Sequence, residues 1–195
     1  MAVFDLGEVL AEAGGLYERL AAALGVDRAS LERAYWHTRD AYDRGAPARQ
    51  YWARVAEESG VDADDAVLDE LDWIDGATWS AIRADAARLL SDVHDTGTPV
   101  AILSNAPATL ALAARGRSWA TWVDHWFFSA ELGVAKPDAE IYAIAGERLA
   151  VSPAEILFVD DRPANVDAAR AAGWNAHLWT SDAGTREALV GAGIL

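Results

Sequence analysis

Six polar side chains have the types and positions expected of a phosphoryl-transfer site, and five of them come directly after apolar runs. They are Asp5, Ser104, Asn105, Lys136, Asp160 and Asp161. A carboxylate can attack phosphorus, a lysine and neutral donors can hold phosphoryl oxygens, and paired acids can bind Mg²⁺. We therefore predict chemistry at a phosphoryl group with Mg²⁺ as the cofactor.

The acidic residues are candidates for two roles, nucleophilic attack and metal binding. Asp5 is the candidate nucleophile, because a carboxylate that forms an aspartyl-phosphate splits the transfer into two easier steps. Mg²⁺ prefers hard oxygen ligands and takes one or two carboxylates, so Asp5 and Asp161 are candidate metal ligands. Either Asp160 or Asn165 is expected to support them.

The remaining candidates are donors for the charge that develops on the phosphoryl oxygens. Lys136, in the loop "GVAKPD", supplies a cation that also offsets the crowding of carboxylates around Asp5. The hydroxyl of Ser104 and the amide of Asn105 add two neutral donors. These three residues are the predicted substrate-binding groups.

The pattern of apolar residues changes partway along the chain. Residues 14–78 carry helical periodicity and predict a small all-helical insert, with Gly25 and Gly45 ending two of its helices. After about residue 80, helices alternate with apolar strands, which are predicted at 100–104, 126–129, 156–161 and 175–179. This order predicts an α/β fold with a parallel sheet, whose ligand binds beyond the carboxyl ends of the strands.

Composition excludes several classes of function. The formal net charge of −15 disfavours nucleic acid and anionic membrane surfaces as partners. The absence of cysteine excludes thiolate metal sites and a cysteine nucleophile, and the four histidines are too scattered for a zinc cluster. No apolar run reaches the length of a membrane span and no signal peptide is evident, so we expect a cytoplasmic location and no membrane partner.

Four segments resemble the successive motifs of the haloacid dehalogenase-like hydrolase superfamily. They are "VFDLGEVL", "AILSNAP", "GVAKPDAEIY" and "ILFVDDRPANVDAARAAGW", and together they extend over essentially the whole chain. The arrangement is most similar to the subfamily with a helical cap inserted between the first and second motifs. The resemblance implies a Rossmann-like catalytic core made of residues 1–13 and 79–195, a helical cap at 14–78, Mg²⁺ dependence and a small phosphorylated metabolite as substrate.

The resemblance also assigns roles to individual residues. It makes Asp5 the nucleophile, Ser104 the phosphate-binding hydroxyl and Lys136 the cationic stabiliser. It makes Asp160 and Asp161 the metal-binding pair. These roles agree with those derived from residue type alone.

Gly7 departs from the usual phosphatase pattern, which has a second aspartate two residues after the nucleophile. That aspartate protonates the leaving oxygen and activates water, whereas its backbone carbonyl binds Mg²⁺, a role that Gly7 retains. Loss of general acid–base catalysis slows turnover by roughly a hundred- to ten-thousand-fold. Glu8 is expected to face away from the site, because neighbouring side chains of an extended segment point to opposite faces.

The missing aspartate leaves two alternatives open beside the phosphatase. The 2-haloacid dehalogenases of this superfamily also lack it, attack carbon and need no Mg²⁺, but typically carry serine and asparagine where this chain has Asp160 and Asp161. The other alternative is a nearly inactive protein that only binds phosphorylated ligands. The retained acidic pair favours the phosphatase.

We interpret the tryptophans in or beside the insert as packing residues rather than a ligand cage: Trp36, Trp52, Trp73 and Trp79. One or two of them can still face the substrate. Arg39, Arg44 and Arg49 can project from the insert toward an anionic substrate, but we expect at least two of them to be exposed to solvent.

Overall fold

Five short parallel strands form the centre of the computed structural model, which describes residues 1–195. The strands are β1 (Ala2–Phe4), β2 (Val100–Ser104), β3 (His125–Phe128), β4 (Leu157–Asp160) and β5 (Asn175–Leu178). They hydrogen-bond in the order β3-β2-β1-β4-β5, and every neighbouring pair is parallel. The predicted α/β class is confirmed, and the predicted strands are correct to within two residues at each end.

Six helices separate β1 from β2 in the sequence, and we call the first five of them the helical segment. They are α1 (Leu16–Leu24), α2 (Arg28–His37), α3 (Arg39–Asp43), α4 (Ala48–Glu58) and α5 (Asp65–Trp79). Gly25 ends α1 in a left-handed conformation, as predicted. The stretch between Gly25 and Gly45 forms two helices, α2 and α3, because the backbone of Thr38 has a φ of −114° and a ψ of 8°, which leave the helical region.

Six further helices cover the two faces of the sheet. They are α6 (Ala84–Asp95), α7 (Ala108–Arg115), α8 (Ser129–Leu132), α9 (Ala139–Leu149), α10 (Pro163–Ala171) and α11 (Asp182–Gly191). Two 3₁₀ helices add Ser118–Trp122 and Pro153–Glu155. None of the helices has both the length and the apolar content needed to cross a bilayer.

The alternation of side chains along β1 divides the core between the two sheet faces. Phe4 belongs to a cluster of 38 buried residues that runs continuously from the sheet into the helical segment. Val3 belongs to a cluster of 12 on the other face, against α9 and α10. Because one apolar cluster joins the helical segment to the sheet, packing fixes where that segment lies relative to β1.

The tryptophans of the helical segment do not all pack as expected. Trp52 and Trp79 are buried, in agreement with the packing interpretation. Trp73 is 68% exposed, so that interpretation was wrong for it, whereas Trp36 is 52% exposed and is one that can face a substrate. Helical periodicity identifies one face of a helix but does not determine whether a neighbouring element covers it.

Candidate active site

Three adjacent strands deliver their polar residues to one edge of the sheet. Asp5 directly follows β1, Ser104 ends β2 and Asp160 ends β4, and β1 lies between the other two strands. They end at a cavity of about 360 Å³, whose lining includes Asp5, Gly7, Ser104, Asn105, Lys136, Asp161 and Asn165. Asp160 is fully buried beside it. The predicted residues are therefore brought together.

Lys136 is the charged centre of this group. Its Nζ lies 2.9 Å from Oδ1 of Asp5 and 2.6 Å from Oδ2 of Asp160, and its side chain is only 1% exposed. Asn105 holds the backbone of Lys136 in place by a reciprocal pair of hydrogen bonds, both 2.8 Å long. One buried cation thus orients two carboxylates from neighbouring strands.

The carboxylates of Asp160 and Asp161 differ in their partners. Oδ1 of Asp160 accepts from the backbone N–H of Arg162 at 2.8 Å, and the amide of Asn165 donates to both oxygens at 2.9 and 3.0 Å. With Lys136 as well, both oxygens of Asp160 are fully engaged. Asp161 is partly buried and receives no hydrogen bond or ion pair from another side chain.

The three carboxylates form a group that can hold a divalent cation. Asp5, Asp160 and Asp161 each offer an oxygen, and these oxygens lie within 4.8 Å of one another. Beside them, Oδ1 of Asn165 is buried and has no partner. Hard oxygen donors at this spacing suit Mg²⁺ better than softer metals.

Burial and like charge raise the pKa of two of these acids. Burial raises the pKa of Asp5 to about 7, which Lys136 opposes and Asp160 reinforces. Burial and then Asp160 raise the pKa of Asp161. Burial alone lowers the pKa of Lys136, but Asp5 and Asp160 outweigh it, so the pKa lies above its usual value and the lysine stays charged. A bound cation would relieve the repulsion among the acids.

The chain turns sharply after Gly7 and carries Glu8 into the cavity. Glu8 has a φ of 58°, and the N–H groups of Leu10 and Ala11 both bond to the carbonyl of Leu6 at 2.9 Å. Glu8 lines the same cavity as Asp5. The expectation that it faces away was wrong, because this segment is a turn and not an extended strand.

A model of the family described as haloacid dehalogenase-like hydrolase matches residues 2–173. The chain belongs to this hydrolase family. It is 30% identical over 155 residues to Phosphatase MT3486 of Mycobacterium tuberculosis, a match that covers 77% of this chain and 70% of that protein.

Solved structures share the fold of this hydrolase. L-2-haloacid dehalogenase from Xanthobacter autotrophicus superposes with a TM-score of 0.75 at 22% identity, covering 97% of this chain and 82% of that one. The HAD family enzyme bt-2542 from Bacteroides thetaiotaomicron, in complex with magnesium and inorganic phosphate, gives 0.70 at 19% identity, covering 92% and 93%. Both phosphatases and dehalogenases are thus similar to the chain, so its own site must distinguish between these activities.

The helical segment of the hydrolase supplies the opposite wall of the cavity. That wall includes Tyr35, Trp36, Arg39, Asp43 and Trp79. Arg39 is buried and bonds to Oδ1 of Asp43 at 2.8 Å and to both oxygens of Asp75 at 3.2 Å. Arg44 and Arg49 make more exposed ion pairs with acids.

The spacing of three residues in this wall could have predicted that they lie together, although the sequence analysis above did not use it. Tyr35, Arg39 and Asp43 are spaced by four, which places them on one face of a helix. Their partner Asp75 comes from α5 and accepts from the hydroxyl of Tyr35 at 2.6 Å. The periodicity could have identified the first three residues, whereas only the fold brings Asp75 to them.

Proposed function

We propose that this hydrolase removes phosphate from a small phosphomonoester in a Mg²⁺-dependent reaction through an aspartyl-phosphate on Asp5. The observation that carries the proposal is the group of three carboxylates within 4.8 Å of one another around a buried lysine. A carbon-attacking dehalogenase needs no such metal-binding set. The named phosphatase relative and the fold neighbour crystallised with magnesium and phosphate support the same choice.

Asp5, Asp161 and the backbone carbonyl of Gly7 are the proposed ligands of Mg²⁺. Asp161 has no competing partner, whereas both oxygens of Asp160 are engaged, so Asp160 acts by positioning Lys136 and Asn165. When bound, Mg²⁺ would neutralise charge on the phosphoryl oxygens and orient the group for attack.

The residues around Asp5 prepare it for attack. The backbone N–H of Leu6 donates to Oδ1 at 2.7 Å and Lys136 lies 2.9 Å from the same oxygen, which together fix the rotamer of the nucleophile. Lys136 and the hydroxyl of Ser104 face the cavity and bind the phosphoryl oxygens. Asn105 contributes by fixing the backbone of Lys136.

The helical segment acts as the cap that encloses the substrate. It closes the cavity opposite the strand ends, so the phosphoryl group occupies the strand side and the leaving group faces α2, α3 and α5. A cavity of about 360 Å³ suits a small metabolite.

The second candidate function is 2-haloacid dehalogenation, which the glycine at position 7 and the dehalogenase fold neighbour favour. Asp5 would then attack carbon and release halide without a metal. A metal-free reaction gives no role to Asp161, the carboxylate without side-chain partners, which is why we place this function second.

One set of assays distinguishes these functions. Phosphate release from aryl, sugar and nucleotide monophosphates, with Mg²⁺ and with EDTA, is measured beside halide release from a 2-haloacid. We expect Mg²⁺-dependent phosphate release that Asp5→Asn abolishes, in a variant whose circular dichroism matches the wild type. Halide release, or phosphate release that survives Asp5→Asn, would overturn the proposal, and ligand binding without turnover would indicate a binding protein.

A further inference from the structure

The residue at position 7 has no side chain and cannot donate a proton. A Cβ placed on Gly7 would make an ordinary van der Waals contact, at 3.7 Å, with the indole ring of Trp79 from the helical segment. An alkoxide leaving group nevertheless needs a proton. We infer that Asp43, on the helical segment, donates the proton to the leaving oxygen, an assignment that rests on the proposed phosphatase function.

The helical segment touches the strand side of the site at Asp43. The hydroxyl of Ser129 donates to the backbone carbonyl of Asp43 and accepts from the N–H of Ala106 at 2.9 Å. Ala106 comes two residues after Ser104, so this chain of bonds connects Asp43 to the phosphate-binding loop. Asp43 lines the same cavity as Asp5.

Two neighbouring contacts strengthen the attachment of this segment. Arg44 Nη1 lies 2.6 Å from Oδ2 of Asp138, which is two residues beyond Lys136. A Cβ on Gly45 would lie 3.0 Å from the carbonyl oxygen of Ala130, and Gly45 has a φ of 103°, so glycine permits this close approach. Asp43 is therefore held in place by its own backbone carbonyl and by the contacts of the two residues that follow it.

The charges around Asp43 favour a carboxyl group that can exchange a proton. Arg39 is shared between Asp43 and Asp75, and Asp75 also accepts from Tyr35, whereas Asp43 has Arg39 as its one side-chain partner. Two acids thus compete for one guanidinium in a site where the side chain of Asp43 is 14% exposed. Burial raises the pKa of Asp43 to about 6, against the opposing effect of Arg39 and with smaller contributions from Asp75 and Asp40.

The ionisable groups that face Asp43 come from several elements. They are Arg39 and Asp40 on α3, Tyr35 on α2, Tyr51 on α4 and Asp75 on α5, with Asp5 and Lys136 across the cavity. Of these, Arg39 stabilises the carboxylate that remains after the proton has left.

The proposed step balances as follows. A carboxylate oxygen of Asp5 attacks phosphorus, and the bond from phosphorus to the leaving oxygen breaks with its electron pair going to that oxygen. The proton of the Asp43 carboxyl moves to the same oxygen and gives a neutral alcohol. When water attacks the aspartyl-phosphate, the bond to Asp5 breaks and Asp43 regains one proton from that water.

Phosphate esters whose leaving groups differ in basicity test this inference in the 195-residue chain. An aryl phosphate such as p-nitrophenyl phosphate departs without a proton, whereas a primary alkyl phosphate requires one. Asp43→Asn should therefore lower kcat/KM for the alkyl phosphate by about a hundredfold or more and leave kcat/KM for the aryl phosphate within a few-fold, because this ratio reports formation of the aspartyl-phosphate and not its later hydrolysis, which also uses Asp43. Asp69→Asn, an exposed cap acid paired with Arg49, is the matched control and should change neither rate.

The pH profile provides a second readout. In the wild type, kcat/KM for the alkyl phosphate should fall as the pH rises above the pKa of Asp43, and this decline should be absent in Asp43→Asn. Asp75→Asn removes a neighbouring negative charge and should move the decline to lower pH. Equal losses on both substrates, or an unchanged profile in Asp43→Asn, would overturn the inference while Asp5→Asn still tests the phosphatase function independently.

Discussion

Asp160 and Asp161 are neighbours in sequence but have opposite surroundings. Asp160 is fully buried and both its oxygens are engaged by Lys136, Asn165 and the N–H of Arg162. Asp161 faces the cavity and is without side-chain partners. A carboxylate with all its acceptor capacity used supports structure, whereas a free one at the cavity wall is available to a metal.

Two conservative variants should separate these roles. In EDTA, Asp160→Asn should lower the free energy of unfolding by about 3 kcal/mol, because Lys136 loses a buried partner. Asp161→Asn should leave the metal-free stability nearly unchanged but abolish the rise in Tm that Mg²⁺ causes. Urea unfolding and calorimetric Mg²⁺ titration of both variants measure these effects, and equal behaviour of the two would contradict the assignment.

At the scale of elements, a hydroxyl from α2 joins three parts of the helical segment. Tyr35 donates to Asp75 of α5 at 2.6 Å, accepts from Nε1 of Trp79 at 3.0 Å and bonds to Arg39 of α3. Trp79 in turn packs over Gly7. The network therefore connects the wall of the cavity to the turn that follows β1.

Removing this hydroxyl should weaken the segment measurably. Tyr35→Phe leaves buried polar groups of Trp79 and Asp75 short of a partner, and should cost about 1–3 kcal/mol in the free energy of unfolding. Tyr17→Phe is the matched control, because its hydroxyl accepts from Trp36 in an exposed setting and should cost less than about 1 kcal/mol. Urea denaturation of both variants gives the comparison, and equal costs would mean that the buried network adds no stability.

At the scale of the whole molecule, buried acids make stability depend on pH in an uncommon direction. The pKa of Asp5 is raised to about 7 and that of Asp43 to about 6 from an ordinary value of 3.8. Each therefore binds more protons in the folded state than in the unfolded state between these values. The contribution of the two acids to the free energy of unfolding therefore falls as the pH rises between these values. A cation bound to Asp5 would oppose this loss of stability.

Thermal unfolding across this window tests the linkage. In EDTA, the buried acids should lower Tm as the pH rises from about 5 to about 8, and Mg²⁺ should raise Tm more at the higher pH because it binds the ionised site. Subtracting the Tm in EDTA from the Tm in Mg²⁺ at each pH removes the effect of surface groups that titrate in both series. A shift of several degrees is expected, since 1 kcal/mol corresponds to about 2–4 °C for this chain length. A rise in Tm with Mg²⁺ that is independent of pH would contradict this linkage.

The sequence by itself determined the strands and the residues at their ends. An apolar run followed by Asp5, Ser104 or Asp160 marks a buried strand with a polar residue at its carboxyl end, and parallel strands place such ends together. The end of α1 at Gly25 could be predicted from the sequence in the same way. These signals act over a few residues, so they are visible without the fold.

Only the tertiary structure decided which charges are shared. Lys136 bridges Asp5 and Asp160, and Arg39 bridges Asp43 and Asp75, residues that are widely separated along the chain. The turn that places Glu8 in the cavity was likewise not predicted from the sequence. Pairing energies and pKa shifts depend on distance and burial in space, and neither can be read from residue type or periodicity.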